Sequence, residues 1–251
     1  PVNAYLDGTG LVTVTGPMID SASFDNCTIV TQLINNTNSI NYTCANIGLN
    51  NVVLTVRDQS NNANSCAAQV YVQDTVAPIA RCRNITVNLN ASTGVVVVNA
   101  STINNLTPQS SDNCGINTFL INNQPRDTFD CTNAGPNVAT LTVIDNFGNQ
   151  STCQSTITIL DNTPPVISCQ NRTFYLDPAG QIQVLPTDVA TGLDACGIVN
   201  WTIDNQTSAT YFCASAGLNF QDTIRAFDAS GNVSSCISTI TISDTISPVA
   251  A

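Results

Sequence analysis

The chain of 251 residues has no Glu, no Lys and no His; all 17 acidic residues are Asp and all 6 basic residues are Arg. Acid–base and nucleophilic chemistry is thereby left with aspartate carboxylates alone. Hydrolysis of a glycosidic bond by paired carboxylates would need two of them converging in a cleft. No GxSxG, phosphate loop or dinucleotide fingerprint is present either, so the chain is not expected to be an enzyme. The absence of Lys excludes Lys–Asn isopeptide cross-links. The absence of His and of any CxxC excludes the usual zinc sites. A net charge of -11 without a basic cluster argues against nucleic acid or an anionic membrane as partner. No apolar run reaches the ~18 residues of a membrane span and no signal peptide is present, so the chain reads as a mature or excerpted secreted segment. Good helix formers are scarce, whereas Asn is abundant and Val, Ile and Thr dominate the apolar runs, a balance that favours strands joined by turns.

What the chain does have is 11 cysteines in a repeating pattern. Cys27 and Cys44, Cys114 and Cys131, and Cys196 and Cys213 are each 17 residues apart. Cys66, Cys153 and Cys236 follow these pairs, and Cys82 and Cys169 precede the second and third. The text around them repeats as well: FDNC, SDNCGI and LDACGI; TCANIGLN, DCTNAGPN and FCASAGLN; RDQSNN, IDNFGN and FDASGN; QDTVAP, LDNTPP and SDTISP. The expected organisation is three domains, residues 1–75 (incomplete at its start), 76–162 and 163–245, followed by a linker, 246–251, towards a next unit. Domains of this size bury only about 60% of their unfolded surface and depend on covalent staples. The cysteines therefore point to an oxidising compartment, outside the cell or on its surface.

In the second repeat, strand signals fall at 85–89, 94–98, 115–121, 128–131, 138–144 and 151–160, separated by Asn, Gly, Pro and Asp clusters. That spacing predicts an all-β fold of three tandem, disulfide-stapled immunoglobulin-like sandwiches. The midpoint of each 17-residue pair falls at Asn35 and Asn36, Asn122 and Asn123, or Asp204 and Asn205, residues that tolerate left-handed turns. A hairpin folded there sets the two cysteines opposite each other, which predicts Cys27–Cys44, Cys114–Cys131 and Cys196–Cys213. The others can pair within a repeat (Cys82–Cys153, Cys169–Cys236) or across a junction (Cys66–Cys82, Cys153–Cys169). A last strand of about eight residues spans over ~25 Å and separates Cys153 from Cys169, which favours pairing within the repeat. Cys66 is then unpaired or joined to another molecule. AYLDGTG near the start matches FYLDPAG of the third repeat, and DTISPVAA at the end matches DTVAPIAR. Joining end to start nearly rebuilds an internal junction, so the chain is expected to continue into, or be completed by, another copy.

The succession of PIARC or PVISC, DNCGI or DACGI, then DNFGN or DASGN before a last strand ending in DNTPP resembles the hyalin repeat family. Repeats two and three match throughout. Repeat one matches from Tyr5, without a leading cysteine and with Asn in RDQSNN where the family's turn has Gly. The resemblance implies an immunoglobulin-like extracellular module of the kind found in adhesive and matrix proteins and in giant bacterial surface proteins, the Cys-, Asn- and Thr-rich version being closest to the bacterial kind. It implies a spacer or adhesion role and no catalytic residues. Three such sandwiches in a row are expected to form a rod within a filament or matrix, with copies of the chain associating end to end. A carbohydrate-binding adhesin module is the alternative.

Three groups of residues could carry more specific chemistry. Asp74 of the first linker should approach Asp112, Asn113, Asp145 and Asn149, and Asp161 of the second should approach Asp194, Asp228 and Asn232; clustered hard oxygen ligands could hold calcium at the joints, or these side chains could simply cap turns. Twelve Asn-X-Ser/Thr sequons (Asn26, Asn35, Asn41, Asn84, Asn90, Asn99, Asn105, Asn149, Asn171, Asn200, Asn205 and Asn232) invite glycosylation. Trp201, the single Trp, aligns with Phe119 and Gln32; it could stack on a sugar, but packing in or against a sandwich is the expectation, as for Tyr42 and Tyr211.

Overall fold

The computed structural model describes residues 1–104 and 107–249. By internal contacts these residues form two compact units, one of Pro1–Asn84, Asn99–Asp127 and Val138–Thr156, the other of Ile85–Val98, Thr128–Asn137 and Ile157–Ala251, with the boundary passing through the second repeat.

The first repeat contributes β1 (Val2–Tyr5), β2 (Leu11–Thr15), β3 (Ile29–Ile34), β4 (Ser39–Thr43), β5 (Gly48–Asp58) and β6 (Ala63–Gln73). The second contributes β7 (Ile85–Asn88), β8 (Val95–Asn99), β9 (Ile116–Ile121), β10 (Arg126–Asp130), β11 (Gly135–Asp145) and β12 (Gln150–Leu160). The third runs β13 (Val166–Cys169), β14 (Arg172–Tyr175), β15 (Gln181–Val184), β16 (Ala190–Leu193), β17 (Ile198–Ile203), β18 (Ala209–Phe212), β19 (Asn219–Asp228) and β20 (Val233–Ser243). One sheet order recurs three times: β1-β6-β5-β3, β7-β12-β11-β9 and β14-β20-β19-β17. Each four-stranded sheet is accompanied by a two-stranded one, β2-β4, β10-β8 or β15-β18. The fold is all-β, a series of immunoglobulin-like sandwiches.

Alternation along the long strands supplies the core. In β20, Ile240 and Ile242 point inward and are fully buried while their neighbours face out, the period of two expected of a half-buried strand. They meet Val184, Ile203 and Ile224 from the other strands. Val14, Ile34, Leu54, Val70 and Val72 occupy the corresponding core of the first repeat. Each such aliphatic side chain contributes about 1.5–3 kcal/mol when fully buried.

The first strand of each four-stranded sheet runs parallel to the last: Val2 pairs with Val70, Ile85 with Ile157, Arg172 with Ile240. Parallel strands begin at the same end. The cysteines just before or within these strands therefore meet, and the structure bonds Cys82 to Cys153 and Cys169 to Cys236, with Cα–Cα distances of 6.0 and 5.8 Å.

The hairpin cystines require correction. Asn35 and Asn36, Asn122 and Asn123, and Asp204 and Asn205 all adopt the left-handed conformation, with φ between 47° and 67°, so each turn is where the sequence places it. The strands leaving it separate at once. Beyond the bridge Ile34–Thr37, β3 pairs with β5 whereas β4 pairs with β2, and β17 and β18 part in the same way to β19 and β15. Cys27, ahead of β3, and Cys44, after β4, thus flank strands of different sheets and do not form a pair, nor do Cys114 and Cys131, or Cys196 and Cys213. The structure instead bonds Cys44 to Cys114 and Cys131 to Cys196, each from one repeat into the next. Cys27, Cys66 and Cys213 are free and exposed.

Candidate functional site at the repeat junctions

Each bond across a junction has two built halves. The first half is a single 3-10 turn that opens on the cysteine: Cys44–Asn46 after β4 and Cys131–Asn133 after β10. Asn46 Oδ1 accepts the Thr43 amide at 2.9 Å, and Asn133 Oδ1 accepts the Asp130 amide at 2.9 Å, closing reciprocal caps that fix the turn. The second half is the loop ahead of β9 or β17. There Asp112 Oδ1 accepts the Cys114 amide at 2.8 Å, and Asp194 Oδ1 accepts the Cys196 amide at 2.7 Å. Both bonds close at a Cα–Cα distance of 5.4 Å.

The two halves approach over a glycine. Gly10 (φ +76°) and Gly94 (φ +65°) are left-handed, and a Cβ at Gly94 would stand 2.7 Å from Cys131 Sγ and 3.0 Å from the carbonyl oxygen of Ala195. At Gly10 the corresponding distances are 3.0 Å to Cys44 Sγ and 3.1 Å to the Asn113 oxygen. Only Gly admits the following repeat so closely in that conformation.

Around the Cys44–Cys114 bond, Asp74, Asp112 and Asp145 each offer a carboxylate oxygen, all within 4.8 Å of one another. Asp74 is only 7% exposed and Asp145 fully buried. Asp74 Oδ1 accepts from the Val76 amide and from Asn113 Nδ2, both at 3.1 Å. Asp145 accepts the amides of Phe147 and Asn149 and the Asn149 side chain, which also donates to the Asp74 carbonyl at 3.2 Å. Turn capping thus accounts for some of these oxygens. It leaves Asp74 Oδ2, Asp112 Oδ2 and Asn113 Oδ1 buried with no hydrogen-bond partner. Burial, and secondarily the charges of Asp74 and Asp145, push the Asp112 carboxyl above its ordinary value of 3.8 against the opposing Cys114 hydrogen bond. Buried hard oxygens of like charge with unused lone pairs suit a hard divalent cation.

The Cys131–Cys196 junction is different. Asp161 and Asp194 lie together, but the third member of their group is Cys196, whose sulfur is in the cystine. Asp228 is tied up by the Ser230 and Asn232 amides at 2.9 and 2.8 Å, and both Asp161 oxygens are engaged, by the Thr163 amide and by Ser230 Oγ. Ala195 stands where the first junction has Asn113. Asn232 Nδ2 reaches the Asp161 carbonyl at 3.0 Å, so this joint is closed by hydrogen bonds. The expected acidic set of Asp161, Asp194, Asp228 and Asn232 is therefore assembled for capping.

Among the sequons, Asn26, Asn41, Asn90, Asn99, Asn200 and Asn205 are exposed. Asn149 and Asn232 spend their side-chain amides within the junctions. Asn35, Asn84 and Asn171 are exposed and accept backbone amides through Oδ1, while Asn105 lies outside the described residues. Trp201 is half-buried and packs against the core of the third repeat, as expected. Tyr42 and Tyr211 are buried, and the Tyr211 hydroxyl donates to Asp222.

No protein-family model matches the chain, and no curated protein matches it. Among solved structures, the chain is similar to three immunoglobulin domains of titin, I67–I69, with 10% identity and a TM-score of 0.41, over 96% of this chain and 94% of that one. It is similar to the insect immune protein hemolin at 8% identity and a TM-score of 0.37, over 96% and 73% of the two chains. The first four cadherin domains of protocadherin gamma B7 give 15% identity and a TM-score of 0.32, over 80% and 59%.

Proposed function

We propose that the chain is an extracellular structural module, a tandem of hyalin-repeat-like immunoglobulin sandwiches that carries tension or spacing in a cell-surface filament or matrix and associates end to end with further copies. The observation that carries this reading is the pair of cystines, Cys44–Cys114 and Cys131–Cys196, which join consecutive repeats covalently at sites built from the same turn, loop and glycine. Bonds between successive domains would give a fibre component resistance to extension. Four cystines support maturation in an oxidising compartment. Calcium held by Asp74, Asp112 and Asp145 would offset most of the charge of the first junction, and sugar on exposed sequons such as Asn90 and Asn200 would keep the assembly hydrated. Electron microscopy of the oxidised protein tests the reading. Filaments with an axial repeat of one chain length support it, and a population of single particles at every concentration overturns it.

A further inference from the structure

The chain makes one bond twice and holds both halves of a third. Cys213 opens the 3-10 turn Cys213–Ser215 after β18, as Cys44 and Cys131 open theirs. Gly180 lies beneath it with φ +79°, and a Cβ there would collide with Cys213 Sγ. At Gly10 and Gly94 a carbonyl oxygen of the following repeat stands beside the sulfur; at Gly180, the adjoining residues aside, Cys213 Sγ is the one described atom within 4 Å of that position. The opposite half is at Cys27. Asp25 Oδ1 accepts the Cys27 amide at 2.8 Å, the same arrangement that presents Cys114 and Cys196. Both sulfurs are free and exposed.

The surroundings of both halves agree. Linker aspartates Asp74 and Asp161 are buried by the repeat that follows them, but their counterpart Asp244 is exposed, although its Oδ1 accepts the Ile246 amide at 2.9 Å as Asp74 accepts that of Val76. Asn149 and Asn232 donate both to their own turn aspartate and to the preceding linker carbonyl. Asn62, in the same turn of the first repeat, donates to Asp58 alone.

We infer that Cys213 of one molecule forms a disulfide with Cys27 of a second copy, joining the copies tail to head through a junction that repeats the two internal ones. This rests on the end-to-end association proposed above and names its covalent chemistry. The step needs a disulfide oxidant, for which oxidised glutathione serves. The Cys213 thiolate attacks glutathione disulfide, releasing one glutathione thiolate and leaving a mixed disulfide. The Cys27 thiolate of the second copy then displaces the other glutathione thiolate. Two cysteine protons are lost and two electrons pass to glutathione. Cys66 takes no part in this junction: it is the counterpart of Cys153 and Cys236, which bond within their repeats.

The test is oxidation of the purified protein in a glutathione redox buffer, followed by non-reducing electrophoresis and peptide mapping. The parent yields a ladder of covalent multimers whose linking peptide contains Cys27 and Cys213. Cys27→Ser alone and Cys213→Ser alone each stay monomeric. Mixed, they yield a dimer and nothing longer, because only one pair of complementary halves remains. Both positions are exposed and unbonded within the chain, so these variants fold; Cys66→Ser leaves the ladder intact. Linkage through Cys66, or a ladder surviving in either single variant, overturns the inference. Filaments whose Cys27 and Cys213 still titrate as thiols overturn the bond while leaving end-to-end association standing. Absence of both filaments and ladder overturns both.

Discussion

Asp112 and its two acidic neighbours give the residue scale its clearest prediction. Its carboxyl is held above 3.8 by burial and by Asp74 and Asp145. A group whose folded pKa is raised contributes stability that is complete below the unfolded value and is lost as pH rises through the folded one. In chelator, Asp112→Asn should therefore melt above the parent at neutral pH, with the gap closing below about pH 3.8. Calcium should reverse the order, since a ligand at a hundredfold excess over its dissociation constant adds about 2.7 kcal/mol to the protein that binds it. Melting curves of both proteins, with and without calcium, check this; curves unmoved by calcium or EDTA contradict the cation site. A second residue-scale prediction concerns Gly94. Both Gly94→Ala and Gly148→Ala meet left-handed strain of about 1–2 kcal/mol. Only the first also sets a Cβ 2.7 Å from Cys131 Sγ, whereas Gly148 has nothing within 4 Å. Gly94→Ala should melt lower than Gly148→Ala and expose additional titratable thiol from the Cys131–Cys196 bond.

At the scale of elements, the strands and turns were legible in the sequence but the ladder between them was not. The expected strand at 138–144 appears within β11, Gly135–Asp145, and that at 151–160 within β12, Gln150–Leu160. Alternating Val, Ile and Thr fix such strands locally. The turn at Asn122 and Asn123 was legible for the same reason, since local backbone preference decides it. Which strand β9 pairs with after that turn is decided by long-range burial, and neither spacing nor propensity reports it. The symmetry of the 17-residue pairs consequently suggested cystines that do not form. Cys82–Cys153 could be anticipated because the length of the last strand carries Cys153 away from Cys169. The acidic cluster was foreseeable from Asp in three repeated motifs, and Asn113 against Ala195 is a difference the sequence carries, but free against capped oxygens needs side-chain positions. Replacing Cys44 and Cys114 together by Ser tests what such a cross-link contributes. Opening a loop with a sequence separation of 70 should cost roughly 4 kcal/mol in urea unfolding, without loss of strand content by circular dichroism.

For the whole molecule, the four cystines interlock. The loops closed by Cys44–Cys114, Cys82–Cys153, Cys131–Cys196 and Cys169–Cys236 overlap one after another, so a pull applied at Cys27 and Cys213 cannot straighten the chain between them. Its shortest covalent route runs from 27 to 44, across to 114, on to 131, across to 196 and on to 213, three segments of 17 residues joined by two disulfides. The repeated spacing of the cysteines thereby sets the length of chain that tension can release. Single-molecule stretching from handles attached at the free thiols of Cys27 and Cys213, in a Cys66→Ser background, measures that length directly. With cystines intact, complete unfolding should yield a contour of about 180 Å. In reductant it should grow to roughly 650 Å, the reach of the whole intervening chain. An extension near the longer value without reductant would contradict the account of a chain built to bear tension through bonds that lock each repeat to the next.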